Sequence, residues 1–149
     1  MADSFASFKQ KARSKFEQRI GKQLLKAGIP IDYENVKIKY TQPAKGRTYT
    51  PDFILPNGII IEAKGRLTIN MRKKHKWIYK QYPELDIRFV FMKASNSIYK
   101  GSKTSYSDWA ERLGIPWAEQ KIPEEWLKEP AREITYDDDD EHLIRREEA

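Results

Sequence analysis

At 149 residues the chain is one domain's worth, long enough to bury a single hydrophobic core unaided. The absence of cysteine excludes disulfides, thiolate metal sites and cysteine nucleophiles together, and the longest apolar run, Phe89 to Met92, is far short of a membrane helix. There are 28 Lys and Arg against 22 Asp and Glu, but residues 137–149 hold seven acids and two bases, which leaves 26 bases and 15 acids, net +11, on residues 1–136. Such a field concentrates polyanions, so nucleic acid is the first partner to consider. Met1 to Gln10 has no apolar centre of the kind a signal peptide needs, and the expectation is a soluble, cytoplasmic protein without membrane contact.

The spacing predicts a helix over 14–27, with Phe16, Ile20 and Leu24 inward, Lys15, Arg19, Lys22 and Lys26 outward, and Gly28 and Pro30 ending it. From Asp32 to Tyr40 the pattern shifts to alternation, as in a half-buried strand. Thr41 to Thr48 contains Pro43 and Gly46 without periodicity and reads as a loop or bridge. Two strands follow, Tyr49 to Leu55 and Ile59 to Lys64, separated by the turn signal Pro56, Asn57, Gly58. A second helix is expected from Asn70 as N-cap to Tyr82, with Met71, His75, Ile78 and Tyr82 inward and Pro83 after it. Ile87, Phe89 and Phe91 alternate in a further strand. Ser105 and Asp108 form a capping box for a short helix that ends at Gly114, and Pro123 opens a last helical turn near Trp126. The fold class is therefore α/β, a central mixed sheet flanked by helices over residues 1–136. The acidic residues 137–149 are expected to be disordered or loosely attached.

The hairpin carries the chemistry. If Pro56 to Gly58 is a three-residue loop with glycine left-handed, Leu55 pairs with Ile59 and Asp52 stands opposite Glu62, with Cβ atoms about 4.5 to 5.5 Å apart. Lys64 shares that face, whereas Phe53, Leu55, Ile59, Ile61 and Ala63 point to the apolar face. A two-residue loop would put the two acids on opposite faces. Adjacent carboxylates repel unless a cation lies between them, and Mg²⁺ takes oxygen ligands from one or two carboxylates, waters and substrate phosphates. Such an ion activates water and neutralises charge on a phosphodiester, with a second ion at the leaving oxygen. Lys64 would orient the water and steady the pentavalent phosphate. Glu17 is the candidate third carboxylate, although Ser14 with Glu17 also reads as a capping box. His75 reads as a packed residue, and Trp77, Trp109, Trp117 and Trp126 as core or interface rather than base-stacking platforms.

Thr50, Pro51, Asp52 followed by Glu62, Ala63, Lys64 matches the PD-(D/E)xK nuclease signature. The longer run from Tyr49 to Gly58, then Glu62 to Gly65, resembles the phage endonuclease I family of Holliday-junction resolving enzymes. Arg72 to His75, Pro83 to Arg88, Tyr99 to Ser102 and Thr104 to Tyr106 extend the resemblance, which covers roughly residues 14 to 130. It implies a restriction-endonuclease-like core and a structure-selective endonuclease that nicks four-way junctions in pairs with Mg²⁺ or Mn²⁺, two ions per site. On matching positions the catalytic residues fall on Glu17, Asp52, Glu62 and Lys64, and the metal ligands on Glu17, Asp52, Glu62 and Ala63. It further implies a domain-swapped, intertwined homodimer, with Thr41 to Thr48 in the place of the bridge and Glu17 serving the partner's Asp52, Glu62 and Lys64.

Branch recognition rests on phosphate contacts more than on base readout. The candidates are Lys9, Lys11, Arg13 and Lys15, then Arg72, Lys73 and Lys76 on the second helix, and Lys93, Lys100 and Lys103 in the following loop. Two other readings stand beside this one. One is a nuclease of the same fold for mismatched, flapped or ordinary duplex DNA; the other is a non-catalytic basic module with a structural acid pair. If the chain is phage-encoded, the expected compartment is the host cytoplasm.

Overall fold

The computed structural model of the chain describes residues 4–42 and 45–144. Its elements run α1 (Phe5–Lys11), α2 (Lys15–Lys26), β1 (Lys37–Gln42), β2 (Lys45–Tyr49), β3 (Phe53–Ile54), β4 (Ile60–Lys64), α3 (Ile69–Gln81), β5 (Ile87–Phe91), α4 (Tyr106–Arg112), β6 (Trp117–Glu119), α5 (Glu124–Leu127) and β7 (Leu143–Ile144). The strands form two sheets, β3-β4-β5-β6 and β2-β1-β7. Each is mixed: β3 with β4 and β1 with β2 are antiparallel, and the other pairs are parallel. Among the described residues no helix is long and apolar enough to cross a membrane.

The α/β class agrees with the sequence, but the expected single sheet is two. Tyr49 to Leu55 does not continue as one strand, because Pro51 cannot donate to a ladder; β2 stops at Tyr49 and β3 starts at Phe53. Thr41 to Thr48, expected as a loop or bridge, includes the facing ends of β1 and β2, where Gln42 pairs with Lys45. Gly46, Arg47 and Thr48 are all exposed, so no alternation marks the strand. Pro43 and Ala44 lie outside the described residues.

Helix α2 starts one residue inside its predicted cap, with the Ser14 hydroxyl accepting from Glu17 N–H at 3.1 Å. Phe16, Ile20 and Leu24 are buried as the spacing requires, and Gly21 is packed so closely by Phe8 of α1 that a Cβ would lie 2.1 Å from its ring. The short α1 has only Phe8 buried, too little for a periodic signal. Helix α3 is capped by Thr68, which accepts from Met71 N–H at 3.3 Å, so Asn70 is not the N-cap but sits in the first turn. The capping box of Ser105 and Asp108 on α4 forms as expected.

The four-stranded sheet separates two cores. Phe53, Leu55, Ile59, Ile61, Ala63 and Val90 pack with Phe8, Phe16, Ile20 and Leu24 of the amino-terminal helices. Ile54, Ile60, Phe89 and Phe91 pack on the other side with Ile78, Tyr106, Ala110 and the β1–β2 residues Ile38, Tyr40 and Tyr49. Strand β5 is buried at every position, as befits a strand with parallel neighbours on both edges. Its buried Arg88 pairs with Asp86 at 2.8 Å and Glu129 at 2.5 Å.

Residues 126–132 hold the hairpin turn. Asn57 Nδ2 donates to the Trp126 carbonyl at 2.8 Å, and Arg132 N–H donates to the Asn57 carbonyl at 2.9 Å. Arg132 also pairs with Asp86 and Glu129. Of the acidic stretch, residues 138–142 are exposed and β7 joins the body, its buried Ile144 pairing with Ile38; residues 145–149 lie outside the described residues. Gly58 has φ +87°, and a Cβ there would lie 2.6 Å from the Arg132 carbonyl oxygen. Gly58→Ala is therefore expected to destabilise the protein by about 1–3 kcal/mol, read as a lower urea midpoint. An unchanged midpoint would show that the turn is not held in this way.

Candidate active site

Leu55 N–H donates to the Ile59 carbonyl at 2.8 Å, and Phe53 pairs with Ile61 and Ile54 with Ile60. Pro56, Asn57 and Gly58 thus make the three-residue turn, and the same register sets Asp52 across from Glu62. The contacts agree: Asp52 N–H points to Glu62 Oε2 at 3.4 Å, and Ala63 N–H donates to Asp52 Oδ2 at 2.9 Å. Both acids are buried, at 7% and 2% exposure. Lys64 at the end of β4 places Nζ 2.8 Å from Glu62 Oε1, and the buried Tyr49 hydroxyl donates to Glu62 Oε2 at 2.5 Å.

Glu17 arrives from the far side of the sheet. It lies in the first turn of α2, so its backbone N–H completes the Ser14 cap while its carboxylate is free to turn inward, where the buried Tyr33 hydroxyl donates to it. Oxygens of Glu17, Asp52 and Glu34 all lie within 4.8 Å of one another. Glu34 escapes a sequence reading because chain geometry alone delivers it. Tyr33 bridges Phe53, Glu34 takes φ +51°, and Glu34 N–H donates to the Asp52 carbonyl at 3.0 Å. Left-handed backbone at a glutamate is uncommon, and nothing in the local sequence announces it.

The electrostatics divide the two hairpin acids. Burial, reinforced by Glu62, pushes the Asp52 carboxyl well above its usual range. Burial also raises Glu17, with Glu34 adding to the effect against the Tyr33 hydrogen bond. Burial pushes Glu62 up too, but the Lys64 ammonium and the Lys64 and Tyr49 hydrogen bonds outweigh it and hold that carboxyl below its ordinary value. Lys64 is kept charged because Glu62 and Asp52 outweigh its own desolvation. His75 is fully buried between Tyr49 and Phe89, with ring centroids 4.9 and 4.8 Å away and, among the described residues, no hydrogen-bond partner at either nitrogen. Burial lowers its pKa to about 3, so at neutral pH it is an uncharged packing residue and adds no cation beside Glu62.

The donor set suits a hard divalent cation: carboxylate oxygens converge, and Asp52 is left without a full counter-charge. Glu17, Asp52 and Glu34 are the group already within chelating distance, with Glu62 beside Asp52 but engaged by Lys64 and Tyr49. Ala63 could offer only its carbonyl oxygen, since its N–H is bound to Asp52.

Among the expected phosphate contacts, Lys9, Lys11, Lys15, Lys73, Lys76, Lys93, Lys100 and Lys103 are exposed. Arg13, also exposed, pairs with Glu34 at 3.3 Å. Arg72 turns inward instead: its Nη1 donates to the carbonyls of Leu67 at 3.0 Å and Ile98 at 2.7 Å, stitching the loop after β4 to the loop after β5. All four tryptophans pack against the two cores.

The sequence matches the family model for phage endonuclease I over residues 1–144. It is 50% identical over 125 residues to "Endonuclease I" of Escherichia phage T7, covering 84% of each chain. To "Endodeoxyribonuclease 1" of Enterobacteria phage T3 it is 49% identical over 125 residues, covering 84% of this chain and 82% of the relative.

A raised carboxyl pKa has a signed consequence for stability. Between the ordinary Asp value of 3.8 and the higher folded value, the folded state binds more protons than the unfolded one, so stability falls as pH rises through that window. Asp52→Asn, which can still accept from Ala63 N–H, is expected to raise the Tm of the metal-free protein at neutral pH, with the gain vanishing toward acid. A gain that is constant with pH would contradict the assigned shift.

Proposed function

The chain belongs to the phage endonuclease I family, and on that footing we propose that it is a metal-dependent endonuclease that resolves four-way junctions and related branched DNA by paired nicks. DNA endonuclease activity is what the names of its relatives carry; the branched substrate and the Mg²⁺ or Mn²⁺ requirement are this proposal's own. The observation that carries it is the buried cluster in which Asp52 and Glu62 stand side by side, Lys64 rests on Glu62, and Glu17 closes in from α2.

Mg²⁺, when bound, supplies a nucleophilic water at neutral pH and Lewis-acid stabilisation of the phosphoryl oxygens. Glu17, Asp52 and Glu62 would hold it, with Glu34 also within reach of Glu17 and Asp52 and the Ala63 carbonyl completing the protein's share, and a second ion is the expected complement. The chain's own residues do the rest. Tyr49 and Lys64 fix the two oxygens of Glu62, and Tyr33 fixes Glu17. Because Lys64 stays protonated, it acts as a hydrogen-bond donor to the water or to the phosphate oxygen as charge develops there, rather than as a general base. The apolar residues behind the hairpin, Phe53 and Ile61, are buried and keep bulk water from that side.

A junction has two symmetric cleavage points, which suits a two-fold homodimer with two identical sites. In this fold Glu17 precedes the β1–β2 connection, and Asp52, Glu62 and Lys64 follow it. Exchange of the amino-terminal segment between two copies would keep every contact of the site while supplying Glu17 from the partner. The restriction-endonuclease-like assignment of the core and action in the host cytoplasm belong to the same proposal.

Glu62→Ala and Lys64→Ala should each slow cutting of a labelled four-way junction in Mg²⁺ by about 100-fold or more while leaving junction binding intact. Cutting that persists in EDTA, or binding lost together with cleavage, would count against the reading. Competition with linear duplex of identical sequence separates a branch-selective enzyme from one acting on ordinary, mismatched or flapped duplex. A non-catalytic module would show only salt-sensitive binding and no product. Tyr49→Phe, which removes one oxygen's anchor, is expected to weaken apparent Mg²⁺ affinity roughly 10- to 100-fold, measured as a higher metal concentration for half-maximal cutting.

A further inference from the structure

Beside the acid cluster lies a cleft of about 440 Å³ between α3 and the β1–β2 hairpin, lined by Arg47, Lys73 and Lys74 with Asn70, Tyr40 and Trp77. Among the described residues no carboxylate lines it. Lys73 and Arg47 are exposed at its mouth, whereas Lys74 is half-buried. The Lys74 ammonium sits 5.2 Å over the centre of the Tyr49 ring, the same ring whose hydroxyl donates to Glu62. Among the described residues no carboxylate stands within ion-pairing distance of it, and burial lowers its pKa against the longer-range pull of Glu62 and Asp52. A half-buried cation with no direct ion pair is stabilised when something anionic completes it. One aromatic ring therefore separates this ammonium, which makes no direct ion pair among the described residues, from the acids that Lys64 serves.

We propose that this cleft is a second phosphate subsite, in which Lys74, with Arg47 and Lys73, holds a backbone phosphate of the cut strand close to the scissile one. It rests on the reading of the chain as a nuclease and adds to it a residue and a position on the strand. Four acids at the cutting site repel an incoming polyanion, and cations must outweigh them where the strand enters. Successive phosphates of one strand advance about 3.4 Å along a DNA helix, so a neighbour of the scissile phosphate comes within reach of a site one ring away. The lining amides and hydroxyl, from Asn70, Gln42 and Thr48, are donors suited to phosphate oxygens.

The test measures affinity of the full-length protein for a labelled four-way junction in EDTA over a range of salt, with Lys74→Met, Lys74→Arg and Lys22→Met. Methionine keeps the stem that packs on Tyr49 and removes the charge; Lys22 is an exposed lysine on α2, away from the cleft. Lys74→Met should lose about tenfold or more at low salt, with the logarithmic salt slope reduced by about 0.9, while Lys74→Arg restores most of the affinity. A single neutral methylphosphonate within two nucleotides of the cut should cost the wild type the same amount and leave Lys74→Met without further loss. Should Lys74→Met fail to fold, Arg47→Gln with Lys73→Gln reads the same cleft from its exposed mouth. A loss no larger than that of Lys22→Met, or additive losses at every methylphosphonate position, would overturn the subsite. Failure of the wild type to cut in Mg²⁺ would instead overturn the nuclease reading.

Discussion

The repulsion between Asp52 and Glu62, held against each other by a three-residue turn in a buried sheet, is the constraint to which most of the surrounding structure responds. Two carboxylates at that separation cannot both be comfortable as anions in a dry setting. The chain settles one of them. Lys64 and Tyr49 satisfy Glu62, and its carboxyl is held low despite full burial. Among the described residues the Asp52 carboxylate accepts only from the Ala63 N–H, and its pKa is left raised. The asymmetry leaves one buried anion unbalanced, and the converging oxygens of Glu17 and Glu34 deepen the deficit of positive charge.

Holding that arrangement requires rigidity from several directions. Gly58 adopts the left-handed backbone that the turn demands, and the chain from Trp126 to Arg132 closes over it through Asn57. The Asp86, Arg88, Glu129 and Arg132 network ties this strap to the buried β5, so the register of the acids is anchored to the most protected strand. Two buried phenols extend the same logic to side chains: Tyr33 orients Glu17 and Tyr49 orients Glu62. A site built of mutually repelling groups lowers stability locally, and activity of this kind commonly carries that cost.

Charge is organised at a second level. The buried acids, Glu17, Asp52 and Glu62, gather at the hairpin, while exposed lysines crowd α1, α3 and the loop after β5. Not every base serves that surface. Arg88 and Arg72 are consumed within the fold, the former by carboxylates and the latter by two backbone carbonyls, which is where a count of basic residues overstates the electropositive face.

The α/β class, α2, α3, α4 and the hairpin were legible in the sequence because each is a local pattern: a repeat of three or four, an alternation of two, a capping box, a turn tripeptide. Asp52 opposite Glu62, with Lys64 on the same face, follows from counting back from Gly58, since a pleated strand leaves no other choice once the turn length is set. Tertiary structure alone decided the rest. The amphipathic stripe of α2 shows Glu17 at its margin but not that Tyr33 would turn it toward Asp52. Glu34 enters only because its backbone takes a rare conformation beside β3, and the division into two sheets depends on where Pro51 bends the chain. Short-range steric and hydrogen-bonding preferences are written residue by residue, whereas the meeting of Glu17, Glu34 and Asp52 depends on how distant segments pack, and no local spacing encodes that.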